Sequence, residues 1–354
     1  NDQLTLQLAG RFESYSDFGN TVNGKAAARY EPIKGVAIRG SVSTGFRAPS
    51  LAQQFFATTS TNNVTINGVA QLIEVGTFPV SDPVARALGS QPLRPESATN
   101  LAGGIALDFI PGLSITADYY NISIRNRIVL TENLTGNAVV AQLLANGISN
   151  VSSARFFING VNTRTQGVDI IGTYRFPDFG LGKFRFTAGF NYNDTQITRR
   201  AALGIPALAN SVLFGRTESF RLTDGQPRDK INFALDWTLN DLSVSLRTNR
   251  FGRVRSAGSG GVTVTNGTIN IPAFGTQPGD LTLTPKWITD LQITAKIFKN
   301  YELSAGIDNV FDVYPDRLPT VAGFTPNSFF LPYSSLSPFG FNGRFIYVRG
   351  AVNF

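Results

Sequence analysis

Ile231-Asn232-Phe233-Ala234-Leu235-Asp236-Trp237-Thr238-Leu239 puts its large apolar side chains at every second position and fills the gaps with Asn, Ala, Asp and Thr. A period of two belongs to a β-strand, whose successive side chains point to opposite faces. One face of this strand is apolar and the other is wet. The same alternation closes the chain, where Ile346, Val348, Val352 and Phe354 oppose Tyr347, Arg349 and Asn353. In a soluble sandwich the apolar face would meet a core, and Phe184, Phe186, Phe190 and Tyr192 could build one. Alternation alone therefore leaves the environment open.

Reading backwards from Phe354, strands are expected at about 343–354, 300–309, 287–297, 242–252, 228–240, 183–197, 162–176, 113–127, 97–110, 36–46, 24–32 and 2–16, about twelve in all. Their connections fall into two classes. Glu31 to Gly35, Ile110-Pro111-Gly112, Pro177 to Gly182, Asn240-Asp241 and Phe298-Lys299-Asn300 are tight, whereas 47–96, 128–161, 198–227, 253–286 and 310–342 are long, with 17–23 a short member of that class. Short and long alternate, so the turns share one rim and the loops share the other. That asymmetry belongs to outer-membrane barrels, and a soluble sandwich has no reason to sort loops by end.

Three local features carry expectations of their own. The apolar parity slips from Leu113, Ile115 and Ala117 to Ile122 and Ile124, which predicts a bulge near Tyr119 and Tyr120. Ala138, Val139, Leu143 and Leu144 predict a short packed helix between Leu134 and Ala145. Gly258-Ser259-Gly260-Gly261 lacks the Lys and the strand-to-helix context of a phosphate loop and reads as a flexible linker.

Composition agrees with a membrane barrel. Charged residues are 16% of the 354, aromatics reach 11%, and 28 residues are Phe; a lipid-facing band with aromatic girdles has that bias. A single domain is expected, because all-β barrels run as one unit at this length. No run of 18 apolar residues is present, so no transmembrane helix is expected. The opening Asn-Asp-Gln, with neither initiator Met nor leader, reads as a mature chain or a piece of one. The net charge is +7, yet the Arg residues are scattered singly, so nucleic acid is not an expected partner.

The chemistry available is narrow. Without His or Cys, Ser-His-Asp and Cys-His catalysis and His or thiolate zinc sites are excluded. No Asp-x-Asp loop suits calcium. No enzymatic activity, metal or cofactor is expected. Asp108, Asp118, Asp169, Asp236, Asp290 and Asp308, set against Arg39, Arg175, Arg185, Arg247, Lys296 and Arg349, read as the mixed charge of a wet barrel interior.

Gly45-Phe46-Arg47-Ala48-Pro49-Ser50-Leu51 resembles the Phe-Arg-Ala-Pro box of the TonB-dependent outer-membrane receptors. Three segments follow in the family's order: Leu93-Arg94-Pro95-Glu96-Ser97, Thr165-Gln166-Gly167-Val168-Asp169 and Asp308-Asn309-Val310-Phe311-Asp312. The ending from Gly343 to Phe354 is similar to the family's last strand, whose terminal aromatic is read by the outer-membrane assembly machinery. Gly350 and Val352 depart from that signal, leaving Phe354 as its main aromatic cue.

The resemblance implies an all-β fold, a transmembrane antiparallel up-and-down barrel of about 22 strands closed around a plug. Residues 1–354 are then the carboxy-terminal part of that barrel, with the plug domain and first strands absent. It further implies the Gram-negative outer membrane, contact with lipopolysaccharide and membrane lipid, and coupling to the TonB complex through the plug. Active uptake of a scarce small molecule follows, with a ferric siderophore as the expected cargo and carbohydrate or cobalamin as alternatives. Haem-transporting members carry a His after the Phe-Arg-Ala-Pro box, and this chain has none. Arg216, Arg221, Arg253 and Arg255 lie in loops where they could attract anionic cargo, or face lipopolysaccharide and solvent. Two rivals stand beside this reading: a complete twelve-stranded passive pore or autotransporter-type barrel, and an adhesive anchor with an exported passenger. A complete small barrel would pair strand 2–16 with strand 343–354.

Overall fold

A computed structural model describes residues 3–16, 18–66, 69–201, 213–258, 263–265, 268–277, 279–298, 300–318 and 332–352. Phe354 and most of the Gly258–Gly261 segment lie outside them. Twelve long strands form one antiparallel sheet: β1 Leu4–Tyr15, β2 Gly19–Ile33, β3 Val36–Arg47, β4 Glu96–Ile110, β5 Leu113–Leu130 and β6 Phe157–Arg175, then β7 Lys183–Arg200, β8 Asp229–Leu239, β9 Leu242–Phe251, β10 Lys286–Ile297, β11 Tyr301–Asp308 and β12 Phe345–Val352. They lie side by side in chain order, the meander expected from the alternating connections. Among the described residues β1 pairs only with β2 and β12 only with β11, so the sheet is open and the closed twelve-strand ring is not formed.

The tight turns are set by backbone chemistry. Leu239 pairs with Leu242 across a two-residue turn in which Asn240 takes φ +50°, a left-handed conformation that Asn tolerates. Gly35 turns β2 into β3 at φ +80°, and a Cβ there would stand 2.7 Å from the Asp108 carbonyl oxygen. A side chain at position 35 would strain the turn and strike the neighbouring strand.

The sheet is sided as its alternation requires. Phe186, Leu235 and Leu246 form one cross-strand row and are exposed. The adjacent row, Arg185, Asp236 and Ser245, carries the polar contacts of the opposite face. Apolar surface on the outside and polar contacts on the inside is the arrangement of a barrel in lipid. The buried apolar core sits among the loops instead. Val84, Leu88, Leu134, Val139, Leu143, Phe156 and Leu213 pack together there, contributed in part by α2 (Pro83–Ala87) and α3 (Asn137–Ala145). The expected helix is thus present, with Val139 and Leu143 inward, but Leu144 points to solvent.

The expected bulge at Tyr119 and Tyr120 is not there. Gly103–Tyr119 and Ala102–Tyr120 are in unbroken register, and the irregularities lie between Ile124 and Ile128, where Asn126 takes φ +56°, and at the start of β5, between the pairs Leu107–Ile115 and Ile110–Leu113. The parity slip has another cause. At 18, 19 and 18 residues, β5, β6 and β7 are each about 60 Å long, well beyond the roughly 9–11 residues a tilted strand needs to cross a bilayer. Past Tyr119 the outer face of β5 leaves the lipid and becomes Asn121, Ser123 and Arg125, while Ile122 and Ile124 turn inward under the loops.

Candidate functional site

The long loops converge on one rim, and two of the motif segments are joined there. Arg47 stands opposite Glu96 in the β3–β4 register, donating from Nε at 3.0 Å and from Nη2 at 2.5 Å. Glu96 is buried and also accepts the Ile128 amide at 2.7 Å, so one carboxylate ties β3, β4 and β5 together. Phe46 packs with Tyr15 and Phe18, Pro49 is buried, and Ser50 starts α1 (Leu51–Phe55) with a reciprocal capping box to Gln53. A Cβ on Gly45 would meet nothing within 4 Å, and Ala48 is half-buried. In the third motif a Cβ on Gly167 would overlap the Tyr120 ring, and Asp169 accepts from Asn191 at 2.5 Å.

The Asp308–Asp312 segment builds a turn. Asn309 takes φ +54°, its amide donates to Asp290 at 2.8 Å, and its side chain spans both the amide and the carbonyl of Val313. Asp312, also at positive φ, accepts the Arg344 amide at 2.8 Å, which fastens the end of the last loop to its beginning. Phe311 is exposed. These motif residues shape the mouth of the sheet.

The four loop arginines part company. Arg216 opens α4 (Arg216–Thr223) and is buried, with a guanidinium that donates to Asp280 through both Nη atoms and to the carbonyls of Pro272, Gly258 and Ala273. A guanidinium has five N–H donors, and all five are engaged. Burial and saturation place Arg216 away from solvent and make it the rivet between α4 and the 258–280 loop. Burial alone would raise the Asp280 carboxyl, but hydrogen bonds from Arg216, Gly258 and Gly275 outweigh it and hold it below the usual range.

Arg221 is half exposed and pairs with Glu218 at 2.7 Å. Arg255 lies 4.7 Å over the Phe274 ring and 3.8 Å from Asp224, while Arg253 is exposed. Arg221 and Arg253 are exposed and Arg255 is half-buried, whereas Arg216 is buried.

A second rivet holds the same helix. Glu132, from the β5–β6 loop, accepts the Glu218 amide at 3.2 Å, and its own amide donates to the Leu213 carbonyl. A Cβ on Gly215, the residue before Arg216, would stand 2.8 Å from the Glu132 side chain and force it to shift. Burial, with the nearby Glu218 charge adding to it, pushes Glu132 up to about 6 against the hydrogen bonds it accepts. Glu218 is raised by burial as well. These contacts were invisible in the sequence, because Glu132 lies 86 positions from its amide donor and Arg216 lies 64 from Asp280.

Below the mouth, the expected interior charges meet in part. Arg39 holds Asp118 through two nitrogens and Arg185 holds Asp236 at 2.8 Å. Arg247 stands opposite Asp290 in register. Among the described residues no group of three acidic or His/Cys side chains is arranged to hold a metal.

The family model for TonB dependent receptor-like β-barrels matches residues 1–310. No curated protein matches the sequence. Among solved structures, a mutant of the ferric enterobactin receptor PfeA from Pseudomonas aeruginosa is 17% identical, with a TM-score of 0.61 over 99% of this chain and 43% of that one. The siderophore receptor PirA from Acinetobacter baumannii is 15% identical, with a TM-score of 0.59 over 100% of this chain and 44% of the other. PirA from Pseudomonas aeruginosa is 14% identical at 0.59, covering 100% and 46%. At these identities the likeness is one of fold, and the chain spans less than half the length of the structures it matches.

Proposed function

The chain belongs to the TonB-dependent receptor-like β-barrel family of the Gram-negative outer membrane, and from that membership we propose that it is the carboxy-terminal part of a receptor for active uptake of a ferric siderophore. The observation that carries the proposal is the open twelve-strand sheet, polar inside and apolar outside, capped on one rim by loops riveted through α4. Such a sheet, closed by further strands around a plug supplied elsewhere, makes a gated conduit, whereas a complete twelve-stranded pore needs β1 paired with β12, a pairing not found among the described residues. In this reading residues 1–354 are completed by further strands and a plug that couples to TonB, and Phe354 carries the assembly signal. No catalytic step is assigned to the chain; its residues bind and position.

Cargo meets Arg221, Arg253 and Arg255 at the mouth. Ferric siderophores are often anionic, and a trianionic ferric catecholate complex is the fitting probe. Binding to the whole receptor is expected to weaken by about tenfold in R253Q/R255Q and to fall with added salt, while a neutral ferric hydroxamate is unaffected. Binding of an oligosaccharide or cobalamin with no ferric complex bound would replace the siderophore reading with one of those cargoes.

A further inference from the structure

Arg221 is the outer end of a chain of charged groups that runs inward under α4. Its Nη1 donates to the Glu218 carboxylate at 2.7 Å, and Glu218 is mostly covered while Arg221 is half exposed. The backbone amide of the same Glu218 donates to the Glu132 carboxylate at 3.2 Å. Two carboxyls from loops far apart in sequence therefore sit in one cluster at the start of one helix. Glu132 is held in that place, since its own amide is tied to the Leu213 carbonyl and the Gly215 backbone closes against its side chain.

The charges facing the pair can be named element by element. Arg221, on α4, faces both carboxyls, and Arg155, on the 153–155 strand, faces Glu218. Arg155 gives its hydrogen bonds to the hydroxyls of Thr77 and Ser60, and Arg200, at the end of β7, gives one to the Ser219 hydroxyl at 3.1 Å. Among the described residues neither Arg155 nor Arg200 forms an ion pair. Arg216, although on the same helix, is turned to Asp280. Glu132 thus has no cation of its own: Glu218 repels it, and Arg221 is already paired. Two covered carboxylates that share one guanidinium titrate as a pair and take up a first proton more readily than either would alone. Burial, and the Glu218 charge after it, push Glu132 up to about 6, so that step falls within the range a cell surface meets.

We propose that Glu132 and Glu218 are a proton-operated regulator of the mouth: one proton taken from solvent removes one negative charge beside Arg221 and strengthens the hold on anionic cargo, and its loss weakens that hold. Below the transition the cluster turns one carboxylate toward Arg221, and above it two. The inference rests on the anionic-cargo reading of the mouth and adds its regulation.

The test uses the whole receptor with a ferric catecholate complex as probe, binding being measured at pH 5.5 and pH 7.5 on parent and Glu132→Gln. Gln copies the protonated acid. E132Q is expected to bind about fivefold more tightly than the parent at pH 7.5 and equally at pH 5.5. Protonation of the complex itself acts on both proteins and cancels in the ratio. Glu74→Gln, which removes an exposed loop carboxylate outside the cluster, should shift affinity by the same factor at both pH values. A neutral ferric hydroxamate should bind parent and E132Q alike. The parent alone supplies a second readout if E132Q does not fold. By linkage, a proton that strengthens cargo binding is taken up as cargo binds, so calorimetry at pH 6 in buffers of different ionisation enthalpy should show net proton uptake. A parent-to-E132Q ratio that is the same at both pH values, or release of protons at pH 6, would overturn the regulator. A parent that binds no ferric complex at either pH faults the uptake reading instead, whereas cargo binding with an unchanged ratio faults only this one.

Discussion

In the sequence Arg216 is only an arginine in a loop, open to attracting anionic cargo or to facing lipopolysaccharide and solvent. Burial and five committed donors give it a different task. Replacing it with Met would strand Asp280 as an uncompensated charge and should destabilise the loop cap by about 3–5 kcal/mol. Hydrogen exchange would show faster amides across 257–280 with the barrel strands unchanged; unchanged protection of the loop would contradict the rivet. Glu132 offers the complementary test. Its carboxyl rises from an ordinary 4.5 to about 6. A carboxyl raised in the folded state contributes stability that is fully present below pH 4.5 and lost as pH climbs through 6, about 2 kcal/mol in all. Glu132→Gln should therefore strengthen amide protection at 217 and 218 at pH 7.5, change little at pH 4.5, and flatten the dependence between. An undiminished pH dependence in that variant would assign it to another group. Neither rivet was legible, because each joins residues from separate loops and leaves no local pattern.

The strands were legible because alternation is a local signal that survives any environment. All twelve were expected, most with ends within three residues of those observed; β2 begins earlier, and β5, β6 and β7 run further toward the loops. The misplaced bulge shows the limit of that signal. A parity change on β5 is consistent with an inserted residue or with a change of surroundings, and the unbroken register at Tyr119 and Tyr120 excludes an insertion there. The hairpin of residues 58–66 and 69–77, which adds 153–155 as a parallel strand, also went unread, being a long-range assembly within one loop cluster. Sidedness gives the prediction at this scale. Leu235→Lys, on the outward row, should cost about 2–4 kcal/mol in unfolding from micelles, and Asn249→Lys, inward on β9, much less. Equal losses at the two positions would remove the membrane orientation.

At the scale of the whole molecule, the open edges matter most. The free sides of β1 and β12 would present unpaired N–H and C=O groups to lipid, each costing several kcal/mol. A stable membrane form must pair them, either with each other or with further strands, and the account commits to further strands. The chain contains no Cys, so spin labels on cysteines introduced at Leu6 and Val348 report one distance within it. In a barrel of about 22 strands spaced about 4.8 Å apart, those edges stand on nearly opposite walls, on the order of 40 Å from each other. A pulsed electron paramagnetic resonance distance near that value in the membrane-embedded protein is the predicted result. A distance of about 10 Å would mean that β1 and β12 are neighbours in a closed twelve-strand ring, and would contradict the account.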